Sequence, residues 1–184
     1  MSVITIVTGL PRSGTSLMMQ ILEQVPIEIL TDNLRQKDEN NPEGYYELEA
    51  VKGIVRNNDF LKSAQGKALK IVAPLPQFLD LNLSYRAIFM RRDMEEILRS
   101  QEIMLNKDQA AEREKFKTIY ELHLKKTYQF FSTNQIPYID ISYSNLILNP
   151  DDEISKLITF LKVDSQSKNL LKCIKKDLYR NKRP

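Results

Sequence analysis

The chain is poor in cysteine: Cys173 is the single one in 184 residues. It cannot form an internal disulfide, and no cysteine cluster is available for zinc, so a reducing cytoplasm is the expected compartment. With 5 glycines and 8 prolines, collagen and proline-rich linkers are excluded. No apolar run approaches the roughly 20 residues that span a bilayer. The opening MSVITIVTG has neither a basic stretch nor a cleavage site, so no signal peptide is expected. Histidine is confined to His123. What is present is ordinary globular material, 42% hydrophobic and 28% charged, which excludes a disordered chain. The length suits one domain covering 1–184.

Charge is unevenly placed. Residues Lys168 to Pro184 hold seven bases and one acid, Asp177. That segment carries +6 of a net +3, which leaves −3 for the rest. Nucleic-acid binders spread basic residues over a face, so nucleic acid is not an expected partner, and with no bilayer-length apolar run neither is a membrane. A local basic tail suits a small phosphate-bearing ligand, or is a solvated last helix.

Val3–Thr8 (VITIVT) is a β-branched run that predicts a buried strand. Thr15 to about Gln24 predicts a helix stopped by Pro26, and 31–47 a long polar loop. A helix is expected from about Leu48 to Phe60, strands at Ala68–Ala73, Tyr85–Met90 and Pro137–Tyr143, and helices at Met94–Met104, Asp108–Phe131 and Asp151–Leu161. Strands alternate with helices, so a parallel sheet of about four to five strands covered on both faces is expected.

Strand, Gly9-Leu-Pro-Arg-Ser-Gly14, helix is the layout of a phosphate-binding loop. Turn N–H groups point inward and the helix N-terminus adds partial positive charge. The glycine spacing is that of a Walker A motif, yet Thr15 stands where an NTP-hydrolysing loop carries lysine. The cation lies inside the loop as Arg12, and Thr15 and Ser16 add hydroxyls. Such a loop is poorly equipped for ATP but can hold one phosphate with a neighbouring sulfate-like group. The alternative is a generic glycine turn.

TGLPRSGTSLMMQIL resembles the 5′-phosphosulfate loop of sulfotransferases, commonly G-x-P-[RK]-S-G-T-[ST]. The resemblance implies an α/β, three-layer P-loop-type domain. It implies 3′-phosphoadenosine 5′-phosphosulfate (PAPS) as sulfuryl donor, held at the 5′ end by Arg12, Ser13, Gly14, Thr15 and Ser16. The family also carries a strand-ending Arg and a Ser eight residues later, which bind the 3′-phosphate. Here Arg92 and Ser100 have that spacing, while Arg91 is one residue out of register. Tyr143-Ser-Asn-Leu-Ile, with Pro150 and Phe160-Leu161 after it, is similar to a later family segment whose Tyr reaches the nucleotide. The resemblance runs from Thr8 to Leu161 and, with NPEGYYE, points to small bacterial-type sulfotransferase-like proteins. The acceptor would be the hydroxyl or amine of a small molecule or glycan.

The sequence departs from the family in two places. The K-T-H-L-P strand that carries a catalytic His is here Lys70-Ile-Val-Ala-Pro74, with Val72 at the His place. Lys70 can neutralise charge on the transferring group, and with Arg12 it removes the need for a metal. The family's C-terminal R-K-G segment is absent, so Arg180 and the basic tail would substitute. The base would be a carboxylate of the 31–47 loop: Asp32 first, then Asp38, Glu39, Glu43 or Glu47. His123, on the apolar stripe of the long helix, reads as structural. Two other readings stay open. One is a nucleotide kinase or NTPase using Asp93 or Asp140 as Walker B acid, which the missing lysine opposes. The other is a non-catalytic nucleotide-binding module.

Overall fold

The β-branched run near the N-terminus becomes the first central strand, β1 (Ile4–Gly9), buried along its whole length. The structure is a computed structural model; it describes residues 2–179 apart from 33, 40, 107–109 and 165–166. Three more strands join β1: β2 (Ala68–Lys70), β3 (Tyr85–Arg91) and β4 (Tyr138–Ser142). All pairings are parallel, in the order β2-β1-β3-β4. The chain leaves β1 for β2 on one side, then crosses back to β3 on the other. That reversal opens a crevice at the C-terminal ends of β1 and β3, where open α/β sheets bind ligands.

The helices are α1 (Thr15–Leu22), α2 (Met94–Leu105), α3 (Arg113–Thr133), α4 (Tyr143–Leu148), α5 (Pro150–Leu161) and α6 (Ser167–Leu171). Strand residues alternate between the two faces. Val7, Ile88, Met90 and Ile141 pack under Met18, Ile21 and Leu22 of α1 and Leu146, Ile154 and Leu157 of α4 and α5. Ile4, Ile6, Ala87 and Phe89 face the other way, against Phe131 of α3 and the segments around Val51 and Leu61. Leu10, Ala73, Ile97, Leu98 and Tyr120 make a third cluster that seats α2. The result is a three-layer α/β domain with a four-stranded parallel sheet, inside the range the sequence predicts.

Several boundaries differ from expectation. The helix expected over 48–60 is instead two 3₁₀ turns, Glu49–Gly53 and Asp59–Ala64. Gly53 weakens a continuous helix there, and the Asn57 side chain accepts the N–H of Asp59 at 2.8 Å, a local bond that competes with helix. The strand expected to reach Ala73 ends at Lys70, although Ile71 and Ala73 still donate to Val7 and Gly9 of β1. The helix expected from Asp108 starts at Arg113 after a 3₁₀ turn, Ala110–Glu112; residue 108 lies outside the described residues. α4 has no counterpart in the sequence reading. It starts because Ser142 caps it, accepting the N–H of Asn145 at 3.3 Å.

Candidate functional site

Between β1 and α1 the chain turns over residues 10–14. Gly9 (φ 141°) and Gly14 (φ 97°) sit where side chains are strained. A Cβ on Gly9 would stand 2.6 Å from the Met90 carbonyl oxygen, and one on Gly14 would overlap Cδ2 of Tyr143. Both glycines are therefore required by φ and by contact. Arg12 is also left-handed, at φ 69°. A non-glycine residue there costs on the order of 1–3 kcal/mol and persists only when its surroundings hold it.

Those surroundings are α2 and the end of β3. Arg12 Nε donates to Ser100 Oγ at 3.0 Å, and its Nη1 lies 3.6 Å from Met104 Sδ. Arg92 Nη1 donates to the Arg12 carbonyl at 3.0 Å, and its Nε to Glu96 Oε2 at 2.9 Å. Glu96, Ser100 and Met104 recur every four residues, so one face of α2 presents all three to the loop. The Arg92 guanidinium stands over the Tyr143 ring, 4.6 Å from its centroid. Tyr179 meets Tyr143 edge-on and donates to Glu96 Oε1 at 2.7 Å. Burial lowers the affinity of the Arg12 guanidinium for its proton, and the nearby Arg92 charge adds to that.

The opposite wall is built on Lys70 at the end of β2. The residue is 6% exposed, and its ammonium donates to the Tyr45 carbonyl and lies 3.4 Å from Glu47 Oε1. Burial pulls it down to about 8, with the Glu47 carboxylate opposing. Glu47 is held from the other side by Arg35 at 3.0 Å, whose guanidinium lies 3.4 Å from the Tyr45 ring centroid. Ser16 Oγ donates to the Tyr45 carbonyl at 3.3 Å and accepts from Asn41 Nδ2 at 3.0 Å. The 31–47 loop is thereby tied to both α1 and β2.

Between these walls lies a cavity of about 600 Å³, a size suited to small-molecule sites. Six cationic side chains border it (Arg12, Arg35, Lys52, Lys70, Arg92 and Lys175) against two carboxylates, Glu43 and Glu47. Gly14, Thr15, Ser16, Ser100 and Tyr143 border it as well, so most of the residues singled out from the sequence meet in one place. Ser13 does not: its hydroxyl is 1% exposed, closed in against Gly9, with no hydrogen-bond partner among the described residues.

Asp32 is not on the cavity wall either. Its two oxygens accept main-chain N–H groups, from Leu34 at 3.0 Å and Glu49 at 2.5 Å. Those bonds, the Glu49 one foremost, hold its pKa below the usual value. It fastens the loop to the following 3₁₀ turn, a poor setting for a base. Arg91 turns away to the Tyr128 hydroxyl, at 2.9 Å. Asp93 caps α2, accepting from Glu95 N and Glu96 N, and Asp140 accepts from Tyr128; neither borders the cavity. His123 lies half-buried beside Tyr120, and burial lowers its pKa. Arg180, Lys182 and Arg183 lie outside the described residues.

Sequence reading pointed to the basic tail as a whole and did not single out which of its residues border the cavity. Cys173 and Lys175 border the cavity, and Lys175 Nζ pairs with Glu43 at 2.6 Å. No local signal marks that contact, which joins residues 132 apart. Glu96, four residues after Arg92 and in the first turn of α2, was legible by its nearness in sequence.

No family model and no curated protein matches the chain. Solved structures do. The sulfotransferase STF9 from Mycobacterium avium superposes over 94% of this chain and 67% of its own, with a TM-score of 0.53 at 13% identity. The sulfotransferase domain of the Synechococcus PCC 7002 olefin synthase covers 96% of this chain and 78% of its own, with a TM-score of 0.50 at 14% identity. The fold is sulfotransferase-like.

Proposed function

With that fold as premise, we propose that the chain transfers a sulfuryl group from PAPS to a hydroxyl or amine. The observation that carries this reading is the meeting of Arg12, Arg92 and Ser100 at one wall of a cation-rich cavity. Arg12 and Ser100 are 88 positions apart in sequence and share a hydrogen bond.

The residues present fit the donor. The first-turn N–H groups of α1, with the Thr15 and Ser16 hydroxyls, suit the 5′-phosphosulfate. The excess of cations over carboxylates on the cavity wall suits a polyanion. Arg92 and Ser100 are the partners for the 3′-phosphate, and Tyr143 offers the nucleotide a ring face. When bound, the donor supplies an electrophilic sulfuryl group on an anionic leaving group.

The chain's own side chains do the rest. Arg12 and Lys70 bring positive charge from opposite walls, so charge developing on the reacting oxygens is met from two sides. Glu47, rather than Asp32, takes the acceptor's proton. It borders the cavity, and Asp32 does not. Lys70 stands beside Glu47, with its ammonium 3.4 Å from Glu47 Oε1.

Calorimetric titration tests the donor assignment. Adenosine 3′,5′-bisphosphate should bind at least about tenfold more tightly than ATP, because a charged bidentate contact is worth roughly 1.5–3 kcal/mol. Equal affinity for ATP with magnesium would sink the sulfotransferase reading.

A further inference from the structure

We infer, resting on the donor reading, that Glu96 is a positioning residue: together with Tyr179 it holds the Arg92 guanidinium in the pose that receives the 3′-phosphate. Arg92 lies two residues before α2 and Glu96 in its first turn, and both side chains are 6% exposed. A carboxylate so enclosed needs partners for both oxygens. Oε2 accepts from Arg92 Nε at 2.9 Å, and Oε1 from the Tyr179 hydroxyl at 2.7 Å. Burial and that hydrogen bond push the Tyr179 hydroxyl up to about 12, so it keeps its proton and stays a donor.

These contacts fix a flexible side chain. An arginine that nothing holds gives up its rotamer freedom only when a ligand arrives, and affinity suffers by that amount. Here the freedom is lost on folding. The Nε edge is tied to Glu96 and Nη1 to the Arg12 carbonyl at 3.0 Å. The Tyr143 and Tyr179 ring centroids lie 4.6 and 5.7 Å from the guanidinium carbon. Arg92 borders the cavity, whereas Glu96 and Tyr179 do not. Glu96 therefore acts on a ligand through Arg92, and Tyr179 acts through Glu96. The segment after α6 thus takes part in donor recognition without touching the donor.

The test is calorimetric titration of the full chain with adenosine 3′,5′-bisphosphate and with adenosine 5′-monophosphate. The monophosphate lacks the group that Arg92 meets, and its binding also reports an intact fold. Glu96→Ala should weaken the bisphosphate by about tenfold or more, close to the loss in Arg92→Ala, and leave the monophosphate within about twofold. In an Arg92→Ala background, Glu96→Ala should cost less than about twofold more, since it acts only through the lost guanidinium. Glu96→Gln can keep both bonds, its carbonyl accepting from Arg92 and its amide donating to the Tyr179 oxygen, and should stay within about threefold of the wild type. Tyr179→Phe should weaken the bisphosphate alone, by about two- to fivefold. Equal losses for both nucleotides, additive losses in the double variant, or a Glu96→Ala with unchanged bisphosphate affinity would each overturn the inference. A second readout needs no ligand. The Arg92 Nε–H resonance of the nucleotide-free chain, assigned by its loss in Arg92→Lys, should exchange slowly with water in the wild type and Glu96→Gln and rapidly in Glu96→Ala. Slow exchange in Glu96→Ala would show that Glu96 does not hold Arg92. If the wild type binds the two nucleotides equally, the donor reading falls, and this resonance alone decides whether Glu96 positions Arg92.

Discussion

Lys70 gives the most exacting test of the site. Its side chain is buried and its folded pKa lies near 8, against 10.5 for an ordinary lysine. The folded state thus disfavours the charged form. Below pH 8 the amine is protonated in both states, and the folded state bears the full penalty. Between about 8 and 10.5 the unfolded chain binds a proton that the folded chain has shed, so stability rises with pH. Above 10.5 the penalty is gone. At about 1.4 kcal/mol per pKa unit, the gain is on the order of 3 kcal/mol. Other lysines and tyrosines titrate in this window, so the quantity to measure is a difference. Urea unfolding of the wild type and Lys70→Met, at intervals from pH 7 to 10.5, should give two stability curves that converge or cross as pH rises. Parallel curves would refute the reasoning. Turnover supplies a second readout. If the positive charge acts in transfer, wild-type kcat falls as pH rises through about 8, while Lys70→Arg, which stays charged, keeps its rate above that pH.

Two further predictions follow from neighbouring geometry. Gly14→Ala meets a strained φ and the Tyr143 ring, and should cost about 2–5 kcal/mol in urea unfolding; in a Tyr143→Ala background the cost should shrink to the φ part, about 1–2 kcal/mol, and additive effects would show that the ring is not the obstacle. Glu47→Gln should lower kcat about 10²- to 10⁴-fold with bisphosphate affinity nearly unchanged. Asp32→Asn should leave kcat within a few-fold and lower stability instead, and the opposite pattern would return the base to Asp32.

The parts legible in the sequence are those whose cause is local. β1, the two-glycine turn and α1 are set by neighbours a few positions away, and Arg92 leads to Ser100 across the short entry into α2. Which loop acid borders the cavity was not legible, because the loop takes its course from distant contacts. Lys70 holds the Tyr45 carbonyl and Ser16 bonds the same carbonyl. Nothing in TDNLRQKDENNPEGYYE says that its last acid, not its first, turns inward. α4 was hidden because PYIDISY reads as unbroken strand, and a serine at its end serves equally as strand residue or cap. The role of Tyr179 depends on a fold-back that brings residue 179 onto residue 96, and no periodicity reports that.

The ends of the sheet bear on how the protein behaves among copies of itself. In β4, residues 138, 140 and 142 turn their main-chain groups away from β3. Lys156 of α5 donates to the Asp140 carbonyl, and Glu153, one turn earlier, accepts the N–H of Ser142. On the far side, Ala68 exchanges hydrogen bonds with Glu28 and Leu30, which fills the margin of β2. An open row of such groups templates the addition of strands from other molecules, and charged side chains over it are a standard defence. Here one helix turn guards one border and a stretch of extended chain the other. Crowding at high concentration therefore finds little free backbone on which a fibril could nucleate.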